Sequence, residues 1–261
     1  MLGLNRGGLD SPETQRHHRA KQQESPMRFY RRLQPVQALS FDLDDTLYDN
    51  TPVLQAAERR LLQRLQTESR DPRASDPQWW QQQKAQTLQR SPELGHDTTL
   101  TRQATLAHGL AELGHPAPQA ASKALMTQFL IWRSEIGVSE PVVNLLLELA
   151  ERYPLAVITN GNADVRRFLP QVPFATVHCA GPDGPQKPAP ALFHQCCQAL
   201  AIAPAQLLHI GDHPGTDVLG AIRAGCQAAL LQPGANGRIR PSGPALPTLE
   251  FDSLEALRQW L

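Results

Sequence analysis

The apolar positions of this chain fall into two regimes that change over near residue 135. From residue 50 to about 135 they recur at helical spacing. Val53, Leu54, Ala57, Leu61, Leu62 and Leu65 share one face and predict a helix over 53–65. A Ser-, Asp- and Pro-containing loop is expected over 67–77, and Trp79 and Trp80 open a second helical segment. Further helices are predicted over 100–113, 118–132 and 140–152, with Pro118 and Pro141 in first turns, where a missing N–H costs nothing. No convincing strand occurs between 50 and 135.

Short apolar runs bounded by polar or glycine positions predict strands over 39–43, 155–159, 176–179, 207–210 and 227–231. Helices over 189–200 and 217–224 lie between them, the latter ended by Gly225, and Ser253 is expected to cap a last helix carrying Leu254, Leu257 and Leu261. Strands alternating with helices imply a parallel sheet covered on both faces. The expected architecture is a Rossmann-like open α/β sheet of about five strands with an inserted all-helical unit. The boundaries read as 1–26 a polar, disordered extension, 27–50 and 136–261 the α/β core, and 51–135 the helical insert. A Gly- and Pro-rich loop is expected over 233–247. Ligands of such sheets bind beyond the C-terminal strand ends.

The balance of 25 basic against 25 acidic residues leaves no net positive field to gather nucleic acid or an acidic membrane. No long apolar run resembles a membrane span or a signal peptide. The four cysteines, Cys179, Cys196, Cys197 and Cys226, form no CxxC pair and read as reduced thiols of a cytoplasmic chain, with Cys196 and Cys197 on the buried face of their helix.

Four polar constellations interrupt the apolar pattern, each at a strand end or before a helix. In Phe41-Asp42-Leu43-Asp44-Asp45-Thr46, two carboxylates two residues apart repel unless a cation is present or one is protonated; a hard divalent ion with oxygen ligands, magnesium first, resolves this, and a plain polar turn is the other reading. Thr159-Asn160-Gly161 offers a hydroxyl and backbone N–H groups for phosphate oxygens, although Asn-Gly is also a common turn. Lys187, ahead of a helix, offers a cation to a carboxylate and a phosphate together, although a lone lysine is more often solvated surface. Gly211-Asp212-His213-Pro214-Gly215-Thr216-Asp217 puts one carboxylate at a strand end and another where a helix begins. His213 is read as facing solvent.

In this order the four constellations resemble the motifs of the haloacid dehalogenase superfamily of phosphohydrolases, over about residues 39–231. The resemblance implies a phosphate monoesterase with Asp42 as nucleophile and Asp44 as general acid and base. It implies that Thr159, Asn160 and Lys187 hold phosphate, that Mg2+ sits on Asp42, Asp212 and the Asp44 carbonyl, and that Thr46 and Asp217 give support. The helical insert would be the family's cap. Aspartate at position 44 departs from the dehalogenase pattern. Further blocks, including RFYRRL, WRSEIGV and YPLAVITNGNADV, are similar to a bacterial branch acting on 5-amino-6-(5-phospho-D-ribitylamino)uracil, flavin mononucleotide and sugar phosphates. Arg102, Trp132 and Arg133 are that branch's candidate specificity residues here, with Trp132 as hinge packing and Arg102 as a surface or salt-bridged residue the structural alternatives. The expected partner is a small phosphorylated metabolite, the expected state a monomer or weak homodimer. A broad sugar-phosphate or nucleotide phosphatase, or a silent binding protein on the same fold, are the other readings.

Overall fold

The computed structural model describes residues 27–233 and 243–260. The expectation of disorder over 1–26, most of the predicted Gly/Pro loop, and Leu261 lie outside the described residues. A seven-stranded sheet organises the chain, in the order β1-β7-β6-β5-β2-β3-β4. The strands are β1 (Arg28–Phe29), β2 (Ala38–Phe41), β3 (Leu155–Thr159), β4 (Phe174–Cys179), β5 (Leu207–Gly211), β6 (Gln227–Leu231) and β7 (Leu249–Phe251). All neighbours pair in parallel except β1, which runs antiparallel to β7. The α/β class holds, and two strands join the expected five. Arg28–Phe29 and Leu249–Phe251 are too short for a period-two signal to stand out.

Strand periodicity divides the core in two. Leu39, Phe41, Leu155, Val157, Leu208, Ile210, Ala229 and Leu231 pack on one side with Leu145, Leu146 and Leu149 of α5 (Glu140–Ala150). Ala38, Ala156, Ile158, Leu207, Ala228 and Leu230 pack on the other with Leu192, Phe193, Cys196 and Cys197 of α7 (Ala191–Ala199). That second face also receives Ala221 of α8 (Leu219–Arg223). The adjacent cysteines are buried there, as their helical face required.

Between β2 and α5 come four α-helices, α1 (Asn50–Glu68), α2 (Pro77–Arg90), α3 (Thr98–Glu112) and α4 (Pro118–Arg133), with short 3-10 turns on either side of α2. Their starts are chemically explicit. Asp49, Asp76 and Asp97 each accept backbone N–H groups of the first turn of α1, α2 and α3. Ala57, Leu61, Leu65, Leu106, Leu110, Leu125, Met126 and Phe129 make a separate apolar cluster inside this cap. Gly109 of α3 lies where a Cβ would overlap the Trp80 ring, so the glycine lets α2 approach α3 closely.

Two local expectations need revising. The predicted 217–224 helix begins as a π turn over Pro214–Val218 and is α-helical only from Leu219 to Arg223. Its cap is His213, exposed, whose Nδ1 accepts the N–H groups of Gly215 and Thr216. Asp217 therefore sits inside the turn and is free for other bonds. The C-terminal Leu254–Trp260 segment is a 3-10 helix, not an α-helix. The single turn α6 (Val165–Phe168), capped by Asp164, gave no periodic signal because it is four residues long.

Leu110 is fully buried in the cap cluster. Leu110→Ala is expected to lower stability by about 2–5 kcal/mol, read from the shift in a chemical denaturation curve. A loss well below 1 kcal/mol would mean that the four helices do not share a packed core.

Candidate active site

β2, β3 and β5 lie side by side, so parallel register brings their C-terminal ends to one edge of the sheet. Asp42 follows β2, Thr159 ends β3, and Asp212 follows β5. Ser40 pairs in register with His209 on β5, and period two puts Ser40 and Asp42 on the same face.

Lys187 is the centre of this edge. It is 2 % exposed, and its ammonium donates to Asp42 Oδ1 at 2.6 Å, Asp217 Oδ1 at 2.6 Å and the Ile158 carbonyl at 2.7 Å. Three donors meet three acceptors, so the buried cation is fully satisfied. Burial alone would lower its pKa, but Asp217 and Asp42 raise it above the usual lysine value. Asn160 holds the lysine's backbone at two points: Lys187 N–H donates to Asn160 Oδ1 at 2.7 Å, and Asn160 Nδ2 donates to the Lys187 carbonyl at 3.0 Å. The Asn160 side chain is thus engaged with the lysine loop.

Asp42, Asp212 and Asp217 each place a carboxylate oxygen within 4.8 Å of the others. One lysine does not balance three carboxylates. Burial pushes the Asp42 carboxyl up to about 7; the Lys187 charge pulls it down, while Asp217 and Asp44 push it up. Burial, then the charge of Asp217, also raises Asp212. Asp217 goes the other way: burial opposes ionisation, but Lys187 and His209 hold it well below the usual carboxylate range. This all-oxygen, over-acidic donor set fits a divalent cation. The Asp217 oxygens are already committed, Oδ1 to Lys187 and His209, Oδ2 to the His213 N–H at 3.0 Å. Asp42 and Asp212 are the freer ligands. Thr46 donates to Asp212 Oδ1 at 3.3 Å and orients it. Gly211 has no room for a Cβ, which would overlap the Asp217 carboxylate.

His209 was not singled out by sequence reasoning. It is buried, with Nδ1 2.9 Å from Ser40 Oγ and Nε2 3.3 Å from Asp217 Oδ1. Burial lowers its pKa, so the ring is neutral. Its proton then lies on Nε2, toward the acceptor-only carboxylate, and Ser40 donates to Nδ1. In sequence this histidine reads as one more strand residue in LLHIG; only cross-strand register reveals its partners.

Asp44 leaves this cluster and reaches the cap. Its Oδ1 accepts from Arg133 Nη2 at 2.6 Å and from the Tyr48 hydroxyl. Burial disfavours the Arg133 charge, but Asp44 more than restores it. Asp44, Asn160 and Gly161 line a cavity of about 690 Å³ between cap and sheet. Its walls include Leu54, Trp80, Lys84, Arg102 and Arg133. The Arg102 guanidinium lies 4.1 Å from the Phe129 ring centroid and bonds Glu58 at 3.2 Å. Trp132 packs on the cap cluster rather than on this wall. The aromatic side chain at the cavity is Trp80, whose Nε1 is fixed by the Ala74 carbonyl at 2.9 Å. Thr159 is buried, and its Oγ1 accepts from Gly161 N–H at 2.9 Å.

A doubly covered, mainly parallel sheet thus carries an aspartate cluster at its carboxyl edge, the place where such folds put their chemistry. The family model for haloacid dehalogenase-like hydrolases matches residues 36–225, and the chain belongs to that family. It is 37 % identical to the 5-amino-6-(5-phospho-D-ribitylamino)uracil phosphatase YigB of Escherichia coli, over 88 % of this chain and 98 % of that one. Human N-acylneuraminate-9-phosphatase is 27 % identical over 76 % of this chain and 83 % of its own. Among solved structures, a 2-haloacid dehalogenase from Pseudomonas syringae superposes with a TM-score of 0.75 at 31 % identity, covering 87 % of this chain and all of that one.

Bound divalent cation at saturation, about a hundredfold above its dissociation constant, should stabilise the fold by about 2.7 kcal/mol. The check is thermal unfolding with and without magnesium for the native chain and Asp212→Asn. A shift undiminished in the variant would place the cation elsewhere.

Proposed function

We propose that the chain is a magnesium-dependent phosphate monoester hydrolase working through a phosphoaspartyl intermediate on Asp42. The observation that carries this reading is the buried Lys187 ammonium bridging Asp42 and Asp217, with a second aspartate, Asp44, two residues on and open to the cavity. Asp42 attacks phosphorus while Asp44 protonates the departing alkoxide. Asp44 then takes a proton from the water that hydrolyses the acyl phosphate, splitting one difficult displacement into two. Lys187 and the Thr159 hydroxyl are the groups assigned to the phosphoryl oxygens, fixed before the substrate arrives. Bound to Asp42, Asp212 and the Asp44 carbonyl, magnesium would neutralise charge on nucleophile and phosphate. A halide leaves as a stable anion and needs no proton, whereas an alkoxide does. Asp44 therefore favours ester cleavage over dehalogenation.

The substrate we assign is 5-amino-6-(5-phospho-D-ribitylamino)uracil. The full-length similarity to the Escherichia coli phosphatase supports it. So does a cavity of about 690 Å³, within the usual small-molecule range, with Trp80 for a heterocycle and Arg102 and Lys84 for ribityl hydroxyls. A broad sugar-phosphate phosphatase is the second reading, supported by the N-acylneuraminate-9-phosphatase similarity. The protein is taken to act in the cytoplasm.

Phosphate release with magnesium from the ribityl precursor, flavin mononucleotide and common sugar phosphates separates these readings. Strong preference for the precursor, abolished in Asp42→Asn, is expected. Even rates across the panel favour the broad enzyme, and turnover retained in Asp42→Asn removes the nucleophile assignment.

A further inference from the structure

The two carboxylate oxygens of Asp44 are not equivalent. Arg133 Nη2 and the Tyr48 hydroxyl both donate to Oδ1. Arg133 Nη1 also lies 3.5 Å from the Tyr48 oxygen, which closes a three-membered contact. Oδ2 faces Gly161, where a Cβ would lie 2.7 Å from it, and Gly161 lines the cavity. The pair is asymmetric in exposure too. The Arg133 side chain is 3 % exposed and that of Asp44 24 %, so the anchor is dry and the acid is open on one side. Arg133 stands in the last turn of α4, where the cap returns to the core. The next residue, Ser134, accepts the Asp164 N–H at 2.9 Å and ties that return to the segment after β3.

Resting on the reading of Asp44 as the general acid, we propose that Arg133 and Tyr48 are positioning residues that pin Oδ1, making Oδ2 the oxygen that exchanges the catalytic proton. As the Asp42–phosphorus bond forms and the phosphorus–alkoxide bond breaks, the proton on Oδ2 passes to the alkoxide, releasing an alcohol and leaving Asp44 ionised. Water then attacks the phosphoaspartate, its proton returns to Oδ2, and phosphate departs. A bidentate or doubly anchored carboxylate keeps one orientation, and proton transfer requires hydrogen-bond reach. Gly161 keeps space free at the working oxygen. The acid's aim is thereby set by the point where the cap rejoins the sheet.

The test compares kcat/KM, which reports phosphoenzyme formation, on flavin mononucleotide and on p-nitrophenyl phosphate. The first leaves as an alkoxide and needs the acid; the second leaves as a stabilised phenolate and does not. Tyr48→Phe, Arg133→Gln, Arg133→Lys and Asp44→Asn are measured beside the native chain, with melting curves to confirm folding. Arg133→Gln should lower kcat/KM on flavin mononucleotide by about 100-fold, the lower end of a general-acid contribution, and on p-nitrophenyl phosphate by less than about tenfold. Tyr48→Phe should show the same selectivity at smaller size, and Arg133→Lys should restore part of the loss. Since Arg133 is buried, Tyr48→Phe carries the test alone if Arg133→Gln does not fold. Equal losses on both substrates in the anchor variants, with Asp44→Asn still selective, overturn the positioning role only. A non-selective Asp44→Asn overturns the general-acid reading and the proposal with it.

Discussion

A single buried ammonium, that of Lys187, holds the carboxyl edge of this sheet together. Asp42 and Asp217 come from different elements and would repel at this depth without it. Removing one partner of a buried pair typically costs about 3–5 kcal/mol, because the other charge is left uncompensated. The arrangement explains why a lysine, a flexible and strongly hydrated residue, is among the largest fully buried side chains of the protein. It also explains the charge imbalance beside it: one ammonium settles Asp217 but leaves Asp42 and Asp212 short of positive charge, the state in which a hard cation binds well.

Around that centre the labour is divided by layer. The sheet and its two helical faces fix the aspartates, because strands in register cannot slide without turning their side chains to the wrong face. The cap has an apolar cluster of its own and shares with the core a cavity wall and a few polar bonds, among them Asn162 to Thr99 at 3.1 Å. The aspartates therefore stand on rigid strand ends, while the cavity beside them is walled by cap helices, with Gln81 and Lys84 of α2 among its lining.

Much of this was legible beforehand, for identifiable reasons. The α/β class followed from short apolar runs alternating with helical stretches, and the helical insert of 50–135 from apolar positions at helical spacing, with Trp79 and Trp80 marking its second helix. Asp42 and Asp212 stand where apolar runs end; Thr159, Lys187 and Asp217 are weak signals alone and were picked out by the resemblance of the four constellations, in order, to the motifs of the family. What escaped was contact across the sheet and between layers. His209 hides inside LLHIG because its partners, Ser40 and Asp217, are set by register and by a π turn that no local pattern announces. Trp132, conspicuous in sequence beside Arg133, points its bulk into the cap, because adjacent helical residues face different directions; Trp80, one turn into a polar helix, reaches the cavity instead. The edge strands β1 and β7 were too brief to be seen.

The two bonds between the Asn160 side chain and the Lys187 backbone carry a wider implication. A lysine delivered by a loop would ordinarily be placed only as accurately as the loop itself. Here the strand end after β3 grips the peptide of Lys187 directly, so the segment between β4 and Lys187 is relieved of the task of aiming it. One strand end thus sets two segments at once: residues 181–186 keep their own bonds, Gly181 N–H to the Gly184 carbonyl and Cys179 N–H to Asp183 Oδ2, while Lys187 takes its position from the turn after β3.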